Sequence, residues 1–369
     1  MDGTRRSPST KACKWFRRAK GLSPRRNTGA LSGRRKAVMS EVAVIGGSGF
    51  IGRALVAKLD SGGAAVRVVS RGAGGPPQKN IRYVRASVSD APAMRRALAG
   101  VTEAFYLATG GGDRWEDFER DYVGAAGLVG RLCLELGVRR LIYTSSIAAL
   151  YLREPGVADD STPADPRDEA RSYYARAKAR AERVLMELHR KESLPVVILR
   201  PGVVVGRGGV LTHSGLGYWP ADTWCLGWGR GRNPLPFVLV QDVASALAAA
   251  RCAPGIEGRA FNLAGDVFVS ASEFVKELAI RSRRKIRFYP QSLLKIQAVE
   301  IAKWVIKALA RKPENPFPSF RDLKSRGLFT QLDCSGAKTL LGWQPNADPE
   351  VFFREAIDMN LRPIPEDDP

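Results

Sequence analysis

The chain has 369 residues, 44% of them apolar and 26% charged, and a formal net charge of +21, a composition that suits a globular protein of one large or two modest domains. No apolar run approaches the roughly eighteen residues of a membrane span, and no signal-peptide apolar segment precedes the first strand, so a cytoplasmic protein is expected. The five cysteines (Cys13, Cys133, Cys225, Cys252, Cys334) are scattered and never in a CxxC spacing, which excludes a disulfide framework and a zinc site, and the only histidines are His189 and His213.

The charge is unevenly placed. Residues 1–38 hold eight Arg and four Lys against Asp2, a net +11, leaving +10 on the other 331 residues. This distribution argues against a nucleic-acid partner, because the basic signal is largely a tail. Without apolar periodicity and rich in Arg, Ser and Gly, residues 1–38 are expected to be disordered. Three readings stand for them: translated sequence upstream of a working protein that starts at Met39, a targeting peptide, or an anion-binding arm.

Val42-Ala43-Val44-Ile45 reads as a buried strand and runs into Gly46-Gly47-Ser48-Gly49-Phe50-Ile51-Gly52, with Gly46, Gly49 and Gly52 spaced three apart. A dinucleotide pyrophosphate needs this arrangement: a tight turn, a close approach by bare backbone, and a helix N-terminus with unpaired N–H groups. Ile51, Leu55, Val56 and Leu59 follow at helical spacing, then Gly62-Gly63 and a second strand at Val66–Val69, completing a βαβ unit. Strands are expected at Ile81–Val84, Val101–Ala108, Arg140–Thr144, Pro195–Leu199 and Ala260–Leu263. Helices are expected at Ala93–Ala99, Trp115–Leu136, Tyr173–Lys191 and Val243–Arg251. The alternation predicts an α/β fold, a doubly wound parallel sheet with a smaller C-terminal lobe. The domain plan is a tail over 1–38, a dinucleotide-binding domain over 39–264 with a substrate-lobe insertion at about 206–236, and a substrate-binding lobe over 265–369.

Ser145-Ser146 falls at the end of a predicted strand, the edge of an open α/β sheet where ligands collect. Tyr174 and Lys178 lie one helical turn apart on one face. A cation beside the phenol favours the phenolate, so Tyr174 is a candidate to exchange a proton with a substrate hydroxyl or carbonyl. Lys178 has a second candidate task, hydrogen bonding to a nicotinamide ribose, and a serine hydroxyl can orient the reacting oxygen.

Taken together, Gly46/Gly49/Gly52, Tyr143-Thr144-Ser145-Ser146, Tyr174/Lys178, Leu199-Arg200-Pro201-Gly202, Val240-Gln241-Asp242-Val243-Ala244 and Phe261-Asn262-Leu263-Ala264-Gly265 resemble the extended short-chain dehydrogenase/reductase family. The closing Leu332-Asp333, Ala337-Lys338 and Leu341-Gly342-Trp343-Gln344-Pro345 resemble its C-terminal signature, so the likeness covers about residues 40–346. It implies Tyr174 as catalytic acid/base, Lys178 as its partner, Ser146 as the substrate-orienting hydroxyl, and a homodimer. The cofactor would lie along Gly46, Ser48, Gly49, Phe50, Ile51, Gly52 and Ala108, with Pro201 and Gly202 beside the nicotinamide.

Departures from the family pattern carry their own expectations. Ser70-Arg71 stands where many members have an acidic residue for the adenosine ribose, which favours NADP over NAD, and Ala86-Ser87 replaces the usual Gly-Asp near the adenine. Arg200–Gly206 lacks the asparagine of nucleotide-sugar enzymes and is more like the hydroxysteroid dehydrogenase and dihydroflavonol reductase branch. The resemblance therefore implies an oxidoreductase interconverting a secondary alcohol and a ketone. A nucleotide-sugar epimerase or dehydratase and a non-catalytic NAD(P)-binding sensor are the alternatives.

Between Val210 and Pro236, His213, Trp219 and Arg232 are candidates to touch a small-molecule substrate, and the aromatic residues there serve equally well as lobe core. Leu293–Ala310 has helical period with lysines on one side, the pattern of a helix lying on a membrane surface or packing inward.

Overall fold

The computed structural model describes residues 41–361, apart from 73, 77, 153–155, 311–316 and 328–330. The basic tail over 1–38 lies outside the described residues.

Seven strands form one parallel sheet: β1 (Glu41–Ile45), β2 (Ala65–Ser70), β3 (Ile81–Arg85), β4 (Val101–Tyr106), β5 (Arg140–Thr144), β6 (Val196–Pro201) and β7 (Ala260–Leu263), in the spatial order β7-β6-β5-β4-β1-β2-β3. All seven lie where the apolar runs place them. Both faces of the sheet are covered, and successive β1 side chains go to opposite layers. Val42 and Val44 join the core with Leu55, Val243 and Trp343, whereas Ala43 and Ile45 join Met94, Val129 and Leu185. A strand buried on two faces must be apolar throughout, which is why this one reads as a continuous run.

The helices are α1 (Phe50–Ser61), α2 (Ala91–Leu98), α3, α4 (Tyr173–Glu192), α5 (Val240–Ala250), α6 (Ala271–Ser282), α7 (Leu293–Leu309), α8 (Phe320–Gly327) and α9 (Ser335–Leu340), followed among the described residues by a last helical stretch over 349–361. Helix α3 is continuous from Trp115–Phe118 through a π-helical turn at Glu119–Gly124 into Ala125–Glu135. That turn places Tyr122 under the candidate site.

A second core gathers Val203, Leu216, Cys225, Phe237, Phe274 and Phe352, with Phe237 stacked on Phe274 at 5.0 Å. Its small sheet joins Gly217–Ala221 and Trp224–Gly227 from the insertion to Arg287–Tyr289 from the C-terminal stretch. The stretch after 265 does not stay with this lobe. Cys334, Ala337, Leu341 and Trp343 return to the core over β1 and α5, and the Trp343 indole donates to Asp242 O at 2.8 Å.

Candidate active site

The chain leaves β1 toward β2 on one side and reaches β4 on the other, so a crevice opens beyond the C-terminal ends of β1 and β4. Gly46 closes β1 at φ +85°, and a Cβ there would stand 2.6 Å from Ala108 N, the loop after β4. At Gly52 a Cβ would collide with the Gly46 carbonyl oxygen and lie 2.7 Å from Gly47 Cα, so α1 lies against the loop only because the residue is bare. Gly49 caps α1 without a side-chain hydrogen bond, leaving the first-turn N–H groups facing the crevice.

Two cavities flank this loop. One, of about 390 Å³, is lined by Gly46, Ser48 and Gly49 with Arg71, Ser87 and Ala108. The other, of about 590 Å³, is lined by Phe50 and Ile51, by Ser145, Ser146 and Tyr174, and by Pro201 and Gly202. The nominated cofactor residues therefore line one or the other of these cavities, except Gly52, which holds the loop from beneath, and Lys178, which is buried. The cradle at Gly46 and Gly52 fits a dinucleotide, and Ser145, whose buried hydroxyl has no hydrogen-bond partner among the described residues, lines the larger cavity.

The catalytic candidates converge. Ser146 Oγ accepts from Ala148 N at 3.1 Å and lies near enough to the Tyr174 phenol to influence its titration; both residues line the larger cavity. Tyr174 shows 38% of its surface at the cavity, yet its hydroxyl end is desolvated. Lys178 is only 2% exposed, donates from Nζ to Thr144 O at 2.9 Å, and lies 6.0 Å from the centre of the Tyr174 ring.

Burial raises the Tyr174 phenol above its ordinary value, and the nearby Ser146 hydroxyl opposes this. This corrects the expectation of a depressed tyrosine: desolvation dominates, and the resting group is a protonated phenol. Burial lowers Lys178 to about 8, against the pull of Glu182.

Of the substrate candidates, His213 lines the larger cavity; its Nδ1 accepts from Gly215 N at 2.9 Å, and burial lowers its pKa. Trp219 and Arg232 do not line it. Trp219 packs on the second core with its indole donating to His213 O, and Arg232 is exposed to solvent.

Trp228, one of the aromatic residues between Val210 and Pro236, also lines the cavity, whereas most of its remaining wall carries no signal in the sequence. Most of its wall is apolar, with Ile147, Leu152, Val203, Val210, Trp228 and Leu235. Its polar end is built by Arg171 and by Asp322, Ser325 and Arg326 of α8. Arg171 Nη1 donates to Asp165 at 3.0 Å and to Leu150 O at 2.8 Å, and its Nε donates to Asp322 at 3.2 Å. Asp322 also accepts from Ser172 N and Ser172 Oγ, both at 3.2 Å, so a carboxylate satisfies the first turn of α4, the helix that carries Tyr174. Burial raises Asp322, but Arg326 and Arg171 hold it below the usual carboxylate range. Tyr122 adds an edge-on ring 6.1 Å from Tyr174 and donates to Gly110 O at 3.0 Å. Only the basic and acidic residues around 165–171 hinted at such a network; α8 has no local signal tying it to the site.

A dinucleotide-dependent enzyme is the class this crevice defines. The chain belongs to the NAD dependent epimerase/dehydratase family, whose profile matches residues 42–264. It is 25% identical over 335 residues to the sterol-4-alpha-carboxylate 3-dehydrogenase (decarboxylating) of Bos taurus, a match covering 86% of this chain and 91% of the relative. It is 28% identical over 182 residues to the 2-alkyl-3-oxoalkanoate reductase of Shewanella oneidensis, covering 46% of each, so it spans about half the length of that relative. A solved structure of dTDP-glucose 4,6-dehydratase DesIV from Streptomyces venezuelae, with NAD bound, shares the fold at a TM-score of 0.66 and 20% identity over 86% of this chain and 96% of that one.

Proposed function

We propose that the protein reversibly reduces a ketone to a secondary alcohol on a largely apolar substrate, using NADP(H). The observation that carries this reading is the convergence of Ser146 and Tyr174 on one cavity with a mainly apolar wall. The bovine and bacterial relatives, a sterol-carboxylate dehydrogenase and an oxoalkanoate reductase by name, support the substrate class.

The nicotinamide, when bound, supplies or accepts the hydride. The chain does the rest. Gly46, Ser48 and Gly49 offer backbone to the pyrophosphate, Arg71 offers a guanidinium to a 2′-phosphate, and Pro201 and Gly202 border the nicotinamide. Ser146 Oγ orients the substrate oxygen. Tyr174 gives its phenolic proton to that oxygen during reduction and takes it back during oxidation. Lys178, tied to Thr144 O, holds a positive charge behind the phenol and stabilises the phenolate left by proton donation. The resting protonated phenol suits reduction near neutral pH.

The polar end of the cavity favours a second reading. Arg171 and Arg326 there suit the phosphates of a nucleotide sugar, and an epimerase or dehydratase would return the hydride to its substrate. One experiment separates the two: NADPH absorbance is followed while ketones and nucleotide sugars are offered. Stoichiometric NADPH loss with a ketone supports the reductase, and conversion of a nucleotide sugar without net cofactor change refutes it.

A further inference from the structure

Helix α7 (Leu293–Leu309) has no buried residue along its 17-residue length, a rare condition for so apolar a segment. Leu294 is 71% exposed, Ile306 67% and Leu309 80%, with Val299 and Val305 also exposed. Plotted at 100° per residue, Leu294, Val305, Ala298, Leu309, Ala302, Ile306 and Val299 fill one continuous arc. Lys295 lies within this arc and Lys303 at its edge, whereas Lys307 falls on the opposite side of the helix. Glu300 is the helix's single acid and is bridged by Lys303 at 2.8 Å, so α7 carries a net positive charge. Trp304, on the opposite side of the helix with Leu293 and Gln297, packs edge-on against Phe317 at 5.4 Å, so the arc faces away from the rest of the chain.

The helix is coupled to the candidate active site. Gln297 donates to Pro318 O at 2.8 Å, and Leu293 packs over Gly327 at the end of α8, whose Asp322, Ser325 and Arg326 line the larger cavity. No described helix is long and apolar enough to cross a membrane.

We propose that α7 lies flat on an anionic lipid bilayer, with the Leu294/Ile306/Leu309 arc among the acyl chains and its lysines at the headgroups. Charge complementarity selects this occupant. An arc edged by Lys303, with Lys295 inside it and long enough to snorkel, matches anionic headgroups, whereas a second copy of the same helix would bring like charges together. Docking at α7 sets α8, and through it the polar end of the cavity, at the lipid surface. That docking delivers an apolar substrate rests on the reductase reading; the docking itself does not.

The test is flotation of the full chain with phosphatidylcholine vesicles, with or without phosphatidylglycerol, for the wild type, the exposed-surface variant Leu294→Gln/Ile306→Gln/Leu309→Gln, and Lys295→Glu/Lys303→Glu. Hydrogen exchange over 293–309 is read in parallel. The expected result is binding to the anionic vesicles with protection of 293–309, weakened about tenfold or more in either variant. Turnover of a water-soluble ketone without vesicles is expected to match wild type in both variants. Vesicle binding equal in wild type and the Leu/Ile variant, with no protection of 293–309, overturns the proposal and assigns the binding to the basic tail. A vesicle-free dimer abolished by the same variant overturns it in favour of a second copy. Absence of ketone turnover in every form, with α7 protected on vesicles, refutes the reductase reading and leaves the docking standing.

Discussion

Lys178 Nζ donates a 2.9 Å hydrogen bond to the Thr144 carbonyl, binding the helix that carries Tyr174 to the strand that ends in Ser145-Ser146. A side chain from α4 thereby fixes the spacing between the phenol and the serine hydroxyl, and it does so with a buried ammonium. Such a group is costly to bury, and its pKa of about 8 reflects that cost.

This value gives carbonyl reduction a pH limb. The protonated ammonium is the form that supports the phenolate, so kcat/KM is expected to hold below pH 8 and to fall by up to about tenfold per unit above it. The stability effect has the opposite sign. Lys178 titrates lower in the folded chain than in the unfolded chain, so between about 8 and 10.5 the unfolded state binds more protons and stability rises with pH through that window. Replacing Lys178 by Met is expected to abolish the rate limb and flatten this stability slope, as urea unfolding at pH 7 and pH 10 would reveal. A wild-type rate independent of pH from 7 to 10 contradicts the assignment.

Arg71 borders the smaller cavity beside Ser87 and Ser89 at the end of β2. Replacing it by Ala is expected to raise the Kd for NADPH about tenfold or more while leaving NADH within about twofold, since one charge-assisted contact to a phosphate is worth roughly 1.5–3 kcal/mol. Titration of both cofactors measures this, and an equal change for the two contradicts a 2′-phosphate role.

Arg200 and Glu182 form a buried pair with bonds of 3.0 and 2.7 Å, and Arg200 immediately precedes Pro201. Glu182→Ala leaves that guanidinium buried with, among the described residues, Thr162 O at 2.8 Å as its remaining acceptor, so a loss of about 3–5 kcal/mol in unfolding free energy is expected. Removing the largely exposed Arg139 from its bridge to Glu103 is expected to cost less than about 1 kcal/mol. Equal urea midpoints for the two variants would count against this ranking.

Asp160 is pushed up to about 6 by burial, with Asp333 and Asp159 adding to the shift, while its carboxylate accepts from Asn262 N at 2.7 Å. A carboxyl raised on folding holds its proton longer in the native state, so stability falls as pH rises from about 4 to 6. Asp160→Asn keeps an acceptor for Asn262 and is expected to stabilise the protein by roughly 1 kcal/mol at pH 7, after allowance for solvent screening, and to have little effect at pH 4. Thermal unfolding at both values checks the sign.

The sequence made the sheet legible because each parallel strand is buried on both faces and must be apolar along its length. It made Gly46 and Gly52 legible because only a bare Cα fits there. Ser146, Tyr174 and Lys178 were legible because strand end and helix turn are local features. The polar end of the cavity was not. Arg171 and Asp322 are 151 residues apart, and no local periodicity relates α8 to the N-terminus of α4. Trp219 was misplaced for a related reason: an aromatic residue in an irregular segment serves a core or a ligand equally well, and only the packing around Phe237 and Phe274 decides.

The central claim is that Tyr174 transfers the proton and Ser146 positions the oxygen. The most direct measurement is single-turnover NADPH oxidation with a reactive ketone by wild type and Tyr174→Phe, with NADPH affinity determined for both. The account predicts a fall of about 10²–10⁴-fold in rate with cofactor affinity unchanged within about twofold. A Tyr174→Phe enzyme that oxidises NADPH at the wild-type rate would contradict it.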